Sequence, residues 1–355
     1  MSAGASRLAF IDALKAVASQ LIVLHHLAFY GPMSDYAQEL CPGLMSWLYD
    51  YARIAVQAFL VMGGFLAAQA LSRNDRLVEK PVASLIWRRY LKLVLPYLGA
   101  LLLGILAAAL ARSLMTHEAT PELPTLPQLM AHVLLLQSVL GFDGLSAGVW
   151  YVAIDFQLYT LLLITLWLAR RVLPAHPNAG RWLFALLAVA SLFYFNRNDD
   201  WDNWAIYFAG AYGLGAIVQW TVRRGTAPIW LATVVALVGL ALTLDFRVRI
   251  AVALAVAIVL GLARYTGFIE SWPKSRLIAW LGQISYAVFL VHYPIELMTN
   301  AVFERFVPHT PAIQFAGMMV AWALSVAGGA FFFTQIECRA QRWLSGKPRT
   351  ANVAL

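Results

Sequence analysis

Ten apolar runs, each near the length that crosses a bilayer as a helix, constrain this chain more than any other feature. They fall at 9–30, 51–72, 90–113, 149–169, 181–196, 203–221, 228–245, 249–265, 278–301 and 312–335. Composition agrees with a membrane solvent. Of 355 residues, 61% are hydrophobic and 12% charged, against roughly 25% charged in an average protein. So little charge could not cover a water-soluble globule of this size. A soluble enzyme, a disordered chain and a disulfide scaffold are thereby excluded. The expected fold class is all-α: a polytopic membrane protein of about ten transmembrane helices. An eleventh run, near 126–141, is short and follows Pro121, Pro124 and Pro127. Its pattern suits a helix lying at the interface better than a span. The first run has no small-residue cleavage site and exceeds a signal-peptide core in length, so it reads as a retained span.

Charge fixes the expected orientation. With ten spans and a cytoplasmic N-terminus, the C-terminus is cytoplasmic too, and 20 of the 26 Lys and Arg lie inside. Thirteen of the 18 acidic residues lie outside. This is the asymmetry that the positive-inside rule demands. It also accounts for the formal net charge of +8, so no nucleic-acid partner is needed. Cys41 and Cys338 fall on opposite sides and are not expected to pair. Residues 1–340 read as one membrane unit and 341–355 as a short basic cytoplasmic tail. No nucleotide-binding Gly loop, CxxC pair or HExxH helix occurs, and no metal is expected. Gly63-Gly64 reads as a close helix–helix approach.

Ionisable groups inside spans are costly unless paired or wetted, so each is a functional candidate. The first span carries Asp12, Lys15, His25 and His26. Its histidines lie roughly 15–16 Å along the axis from Lys15 at 1.5 Å per residue. Adjacent residues diverge by about 100°, so one histidine at most faces a given pocket. Asp155, about six residues into the fourth run, is placed by helical rise at the depth of His26, where it would orient that ring. The ninth run adds His292 and Glu296, with Pro294 between them. Arg88, Arg89 and Lys92 form a basic patch that positive-inside anchoring explains on composition alone, and that, with Lys15, could receive a polyanion such as the phosphates of coenzyme A. Trp47, Trp150, Trp201 and Trp204 are candidates for sugar stacking, although interfacial anchoring is the favoured reading for most of them. The acidic loop with Asp199, Asp200 and Asp202 reads as a solvated outer face.

Together these segments resemble the acyltransferase family 3 membrane proteins. That family's first helix carries an Arg, ten intervening residues and a His; Lys15 and His26 occupy that frame. Its third-helix basic pair before a proline corresponds to Arg89, Lys92 and Pro96. The segment WYVAIDFQLY is similar to the family's W-S-L-S-V-E-x-Q-F-Y, with Asp155 in place of Glu. AFLVMGGFL and LGQISYAVFLVHYPI match two further motifs, in order, over about 290 residues.

The resemblance implies an integral membrane O-acyltransferase of the bacterial inner membrane. It implies acyl-CoA, usually acetyl-CoA, as cytoplasmic donor. The acceptor would be an extracytoplasmic hydroxyl, commonly on a carbohydrate of a surface polysaccharide or a lipid-linked saccharide. On that basis His26 is expected to be the base or acyl relay, with Asp155 beside it. Lys15, Arg88, Arg89 and Lys92 would hold the coenzyme, and Gln157, Trp150, His292 and Glu296 the acceptor. The competing reading is a proton-coupled transporter that uses the same buried His and Asp residues. It predicts an inverted repeat, and Pro294 has no obvious counterpart in the first half.

Overall fold

A computed structural model describes residues 8–73, 76–77, 80–118, 120–222 and 227–345. Ten helices correspond to the ten apolar runs. The first to fifth spans are Ala9–Phe29, Val56–Leu71, Val82–Leu114, Val149–Val172 and Ala179–Phe193. The sixth to tenth are Ala205–Thr221, Ala227–Leu244, Val248–Thr266, Arg276–Phe306 and Pro311–Phe332. Among the described residues nine helical stretches are long and apolar enough to cross a membrane. The sixth span falls just short of that group at 17 residues and is the most enclosed, with residues such as Ala209, Tyr212 and Ala216 fully buried. The only strands among the described residues are a two-residue ladder, Ser72–Arg73 against Arg76–Leu77. "Inner" and "outer" below denote the ends of the bundle that carry Ala9 and Phe29 of the first span.

Lipid tails supply no hydrophobic drive between helices, so close backbone packing must hold the bundle together. Glycine makes that possible at two crossings. A Cβ on Gly64 would lie 1.8 Å from the Tyr212 carbonyl oxygen, and one on Gly215 would lie 1.8 Å from that of Val61. The second and sixth spans therefore touch backbone to backbone, the close approach expected of Gly63-Gly64. At the inner end of the first and ninth spans, a Cβ on Gly282 would lie 2.2 Å from the Asp12 carbonyl oxygen. At their outer end Asn300 accepts from the Met33 amide at 2.9 Å and donates to the Tyr30 carbonyl at 3.3 Å. These two spans are thus pinned at both ends. The ninth remains one helix through Pro294.

The segment expected as an interfacial helix over 126–141 departs from that reading. Only Leu126–Val133 is helical, started by a Thr125–Gln128 capping box. Its end does not lie at the surface. The Val133 carbonyl accepts from the Tyr90 hydroxyl at 2.8 Å, and the Leu135 carbonyl from Gln157 Nε2 at 3.1 Å. Tyr90 sits about 24 residues inward of the outer end of the third span, roughly 36 Å along the axis. The segment is therefore re-entrant, descending into the bundle and climbing back to Val149. Non-helical backbone survives at such depth only where protein groups satisfy it, as Tyr90 and Gln157 do here. Leu135, fully buried at the turn, adopts φ +57°, a left-handed conformation that costs a side-chain-bearing residue roughly 1–2 kcal/mol.

The helix Cys338–Ser345 takes in the start of the expected cytoplasmic tail; residues 346–355 lie outside the described residues. So do Arg7, Arg223, Arg224, Lys347 and Arg349 of the inner-side cations.

Candidate active site: two cavities and a histidine pair

Two cavities approach each other from opposite ends of the bundle. The inner one, about 580 Å³, is walled by Lys15, Arg89 and Lys92 together with Asp12, Asp155 and Glu337. Arg89 and Lys92, three apart on the third span, share a face. Arg88 lies about 100° round from Arg89; it is exposed and does not line this cavity. Arg89 Nη2 donates to Asp155 Oδ2, and its guanidinium stands 5.1 Å over the Tyr159 ring. Glu337 closes a π-helical turn, Phe333–Glu337, that follows the tenth span. The extra residue of such a turn re-aims side chains, and Phe333 and Glu337 both face the cavity. Glu337 Oε1 accepts from Gln341 Nε2 at 3.0 Å, while Oε2 has no hydrogen bond. Three cations and three carboxylates thus share one wall.

The expected His26–Asp155 pair does not form, because Asp155 is taken by Arg89. The depth estimate assumed that the fourth span begins at the outer surface. It begins instead within the bundle, just after Leu145 and Ser146 pack beside Gly104, ten residues inward of the outer end of the third span, so six residues of descent carry Asp155 to the inner cavity.

The outer cavity, about 780 Å³, is walled by His26, Tyr30, Tyr293, Trp150 and much of residues 118–148. His26 Nδ1 lies 2.6 Å from His292 Nε2, with the rings 7° from parallel. His292 Nδ1 lies 2.7 Å from the Phe289 carbonyl oxygen. Only an N–H can meet a carbonyl favourably, so His292 carries its proton on Nδ1 and a lone pair on Nε2. His26 must then donate from Nδ1, which leaves the lone pair on His26 Nε2. His25 faces elsewhere: it is buried, with Nδ1 3.0 Å from the Leu48 carbonyl.

The remaining candidates scatter. Gln157 is committed to the Leu135 carbonyl. Trp150 lines the outer cavity and packs on Phe208, with centroids 5.5 Å apart. Glu296 is 1% exposed, and neither carboxylate oxygen has a hydrogen-bond partner. A neighbouring outer cavity, about 850 Å³, shares Trp150 and Asp143 with the first and adds Arg53, Asp202, Tyr207 and Arg249. The acidic loop is thus part of a wall rather than a plain solvated face. Burial, and then Asp199 beside it, push the Asp202 carboxyl above its ordinary value. Sequence reasoning passed over Tyr30, Tyr293 and Phe289, whose apolar surroundings give aromatic residues no distinguishing pattern. Among the described residues no group of three His, Cys, Asp or Glu side chains could hold a metal.

A family model described as an acyltransferase domain, that of acyltransferase family 3, matches residues 8–330. No curated protein and no solved structure matches the chain.

Proposed function

We infer the reaction from one premise: the chain belongs to acyltransferase family 3 and is a multi-pass membrane acyltransferase. The reaction is transfer of an acetyl group from cytoplasmic acetyl-CoA to a hydroxyl of an extracytoplasmic acceptor. The acceptor is a carbohydrate, on a surface polysaccharide or a lipid-linked saccharide, and the membrane is a bacterial inner membrane. One observation carries this reading. A single helix presents Lys15 to the inner cavity and His26, with a free lone pair on Nε2, to the outer one.

The coenzyme A phosphates enter the inner cavity towards Lys15, Arg89 and Lys92, with Arg88 on the exposed rim. The pantetheine arm brings the thioester to His26. The acceptor hydroxyl gives its proton to His26 Nε2 as its oxygen attacks the thioester carbonyl. The C–S bond then breaks, the thiolate takes that proton from His26 Nε2, and the thiol leaves inward. His292 Nε2 accepts the hydrogen bond from His26 Nδ1 throughout, so it holds the tautomer and disperses the imidazolium charge, the part expected of Asp155. The same His26 nitrogen could instead carry the acyl group as an acyl-imidazole, with the thiolate leaving first. Asp155 fixes Arg89 rather than the base.

The test is to incubate purified protein with radiolabelled acetyl-CoA and a panel of saccharides and to follow label in the acceptor. Labelled acceptor together with free thiol is the expected result. Absence of both acetyl-CoA binding and thiol release, with proton-driven flux of a solute in vesicles, would replace the transferase by a transporter.

A further inference from the structure

We propose that the Phe289 ring is the wall between the donor and acceptor cavities and sets the length of acyl group that crosses; the proposal rests on the reaction inferred above. Two spans change cavity within one helical turn, and a third does so over a longer interval. On the ninth span Phe289 faces the inner cavity and Tyr293, one turn on, faces the outer. On the fourth span Tyr151 faces the inner cavity and Trp150 the outer. On the first span the change falls between Lys15 and His26. The boundary that the ninth and fourth spans define lies at Phe289 and Tyr151.

The ring is 5% exposed. On one side it meets Tyr151 edge-on, with centroids 5.7 Å apart, and Phe59 at 6.3 Å. Both of those rings also line the inner cavity. On the other side it presses against Gly148, where a Cβ would lie 2.8 Å from the Phe289 ring tip. Gly148 lines the outer cavity. A ring that walls one cavity therefore touches backbone that walls the other, and the partition is one side chain thick. The His292 ring centroid lies 6.1 Å beyond.

Two consequences follow. A thioester carbonyl reaching His26 from the inner cavity must pass the place where this ring stands. Each added methylene of the acyl group must then find room against Phe289, Tyr151 and Phe59. Ring motion about the side-chain torsions leaves the Phe289 carbonyl in place, so the His292 proton stays on Nδ1 while the wall opens. The closed ring also keeps outer water from the thioester. Water that reached it would give one proton to His26 and its hydroxyl to the acyl carbon, releasing a carboxylic acid and the thiol.

The experiment compares wild type, Phe289→Leu and Phe289→Ala in thiol release from acetyl-, butyryl- and hexanoyl-CoA, with and without a saccharide acceptor. One methylene in an apolar pocket shifts selectivity by roughly 10–200-fold. Wild type is therefore expected to favour acetyl-CoA over hexanoyl-CoA by at least that factor. Phe289→Ala should erase most of the preference and raise the hydrolysis rate relative to transfer, and Phe289→Leu should lie between. Leu keeps most of the buried volume, so it reads the effect even if the alanine variant does not fold. A wild type that takes all three donors equally, or an active set with one unchanged chain-length profile, overturns the proposal and leaves the transferase standing. A wild type that releases thiol from none of them, even with acceptors present, overturns the transferase itself.

Discussion

Asp155→Ala separates the two roles that this carboxylate could have. In the structure it holds Arg89 across the inner cavity, so its removal takes away the carboxylate that pairs with that guanidinium. Losing one member of a fully buried ion pair costs about 3–5 kcal/mol. Here the side chains are 25% and 8% exposed, Arg89 and Asp155 respectively, and cavity water recovers part of that, which leaves a loss of about 2–3 kcal/mol. Arg89→Met removes the charge while keeping a stem to lie on Tyr159. The double variant should therefore be more stable than the sum of the single losses implies, with a coupling of about 1–2 kcal/mol. Unfolding of all four proteins by denaturant in one detergent measures the cycle. Losses that simply add, or an Asp155→Ala loss below about 0.5 kcal/mol, would refute the pairing argument. If Asp155 acted on His26 instead, it would couple to His292 in turnover and not to Arg89 in stability.

Further expectations rest on single contacts. His292→Ala frees the His26 tautomer and should lower turnover about 100-fold, while His292→Gln, which can still accept from Nδ1, should recover part of it. Glu337→Gln removes a carboxylate that faces Lys15 and Lys92, so acetyl-CoA should bind about threefold tighter by calorimetry, an effect that added salt diminishes. Gly64→Ala has no room at the Tyr212 carbonyl and should abolish folded protein in size-exclusion chromatography. Gly239→Ala, with nothing within 4 Å, should be neutral or gain up to about 1 kcal/mol. The base must be neutral to accept a proton, so thiol release should fall with a one-proton slope as the pH is lowered; a rate that rises on acidification would argue against it.

The spans were legible because twenty-residue apolar runs have few other uses. The re-entrant segment was not, since an amphipathic stretch after prolines reads alike whether it lies on the interface or dips beneath it. Tyr90 and Gln157, which donate to its carbonyls, are remote in sequence or carry no mark of that task. The depth of Asp155 is hidden for the same reason, because helical rise gives depth only where the helix end lies at the surface, and Val149 does not. His26 and His292 stood out as intramembrane histidines, but that they meet depends on the pinned crossing of the first and ninth spans. Phe289 is one of 19 phenylalanines, and only the packing at Gly148 distinguishes it.

Thiol release from acetyl-CoA by wild type, His26→Ala and His25→Ala tests the central assignment most directly. The account requires release by wild type and His25→Ala, and its loss in a folded His26→Ala. Full turnover by His26→Ala would contradict it.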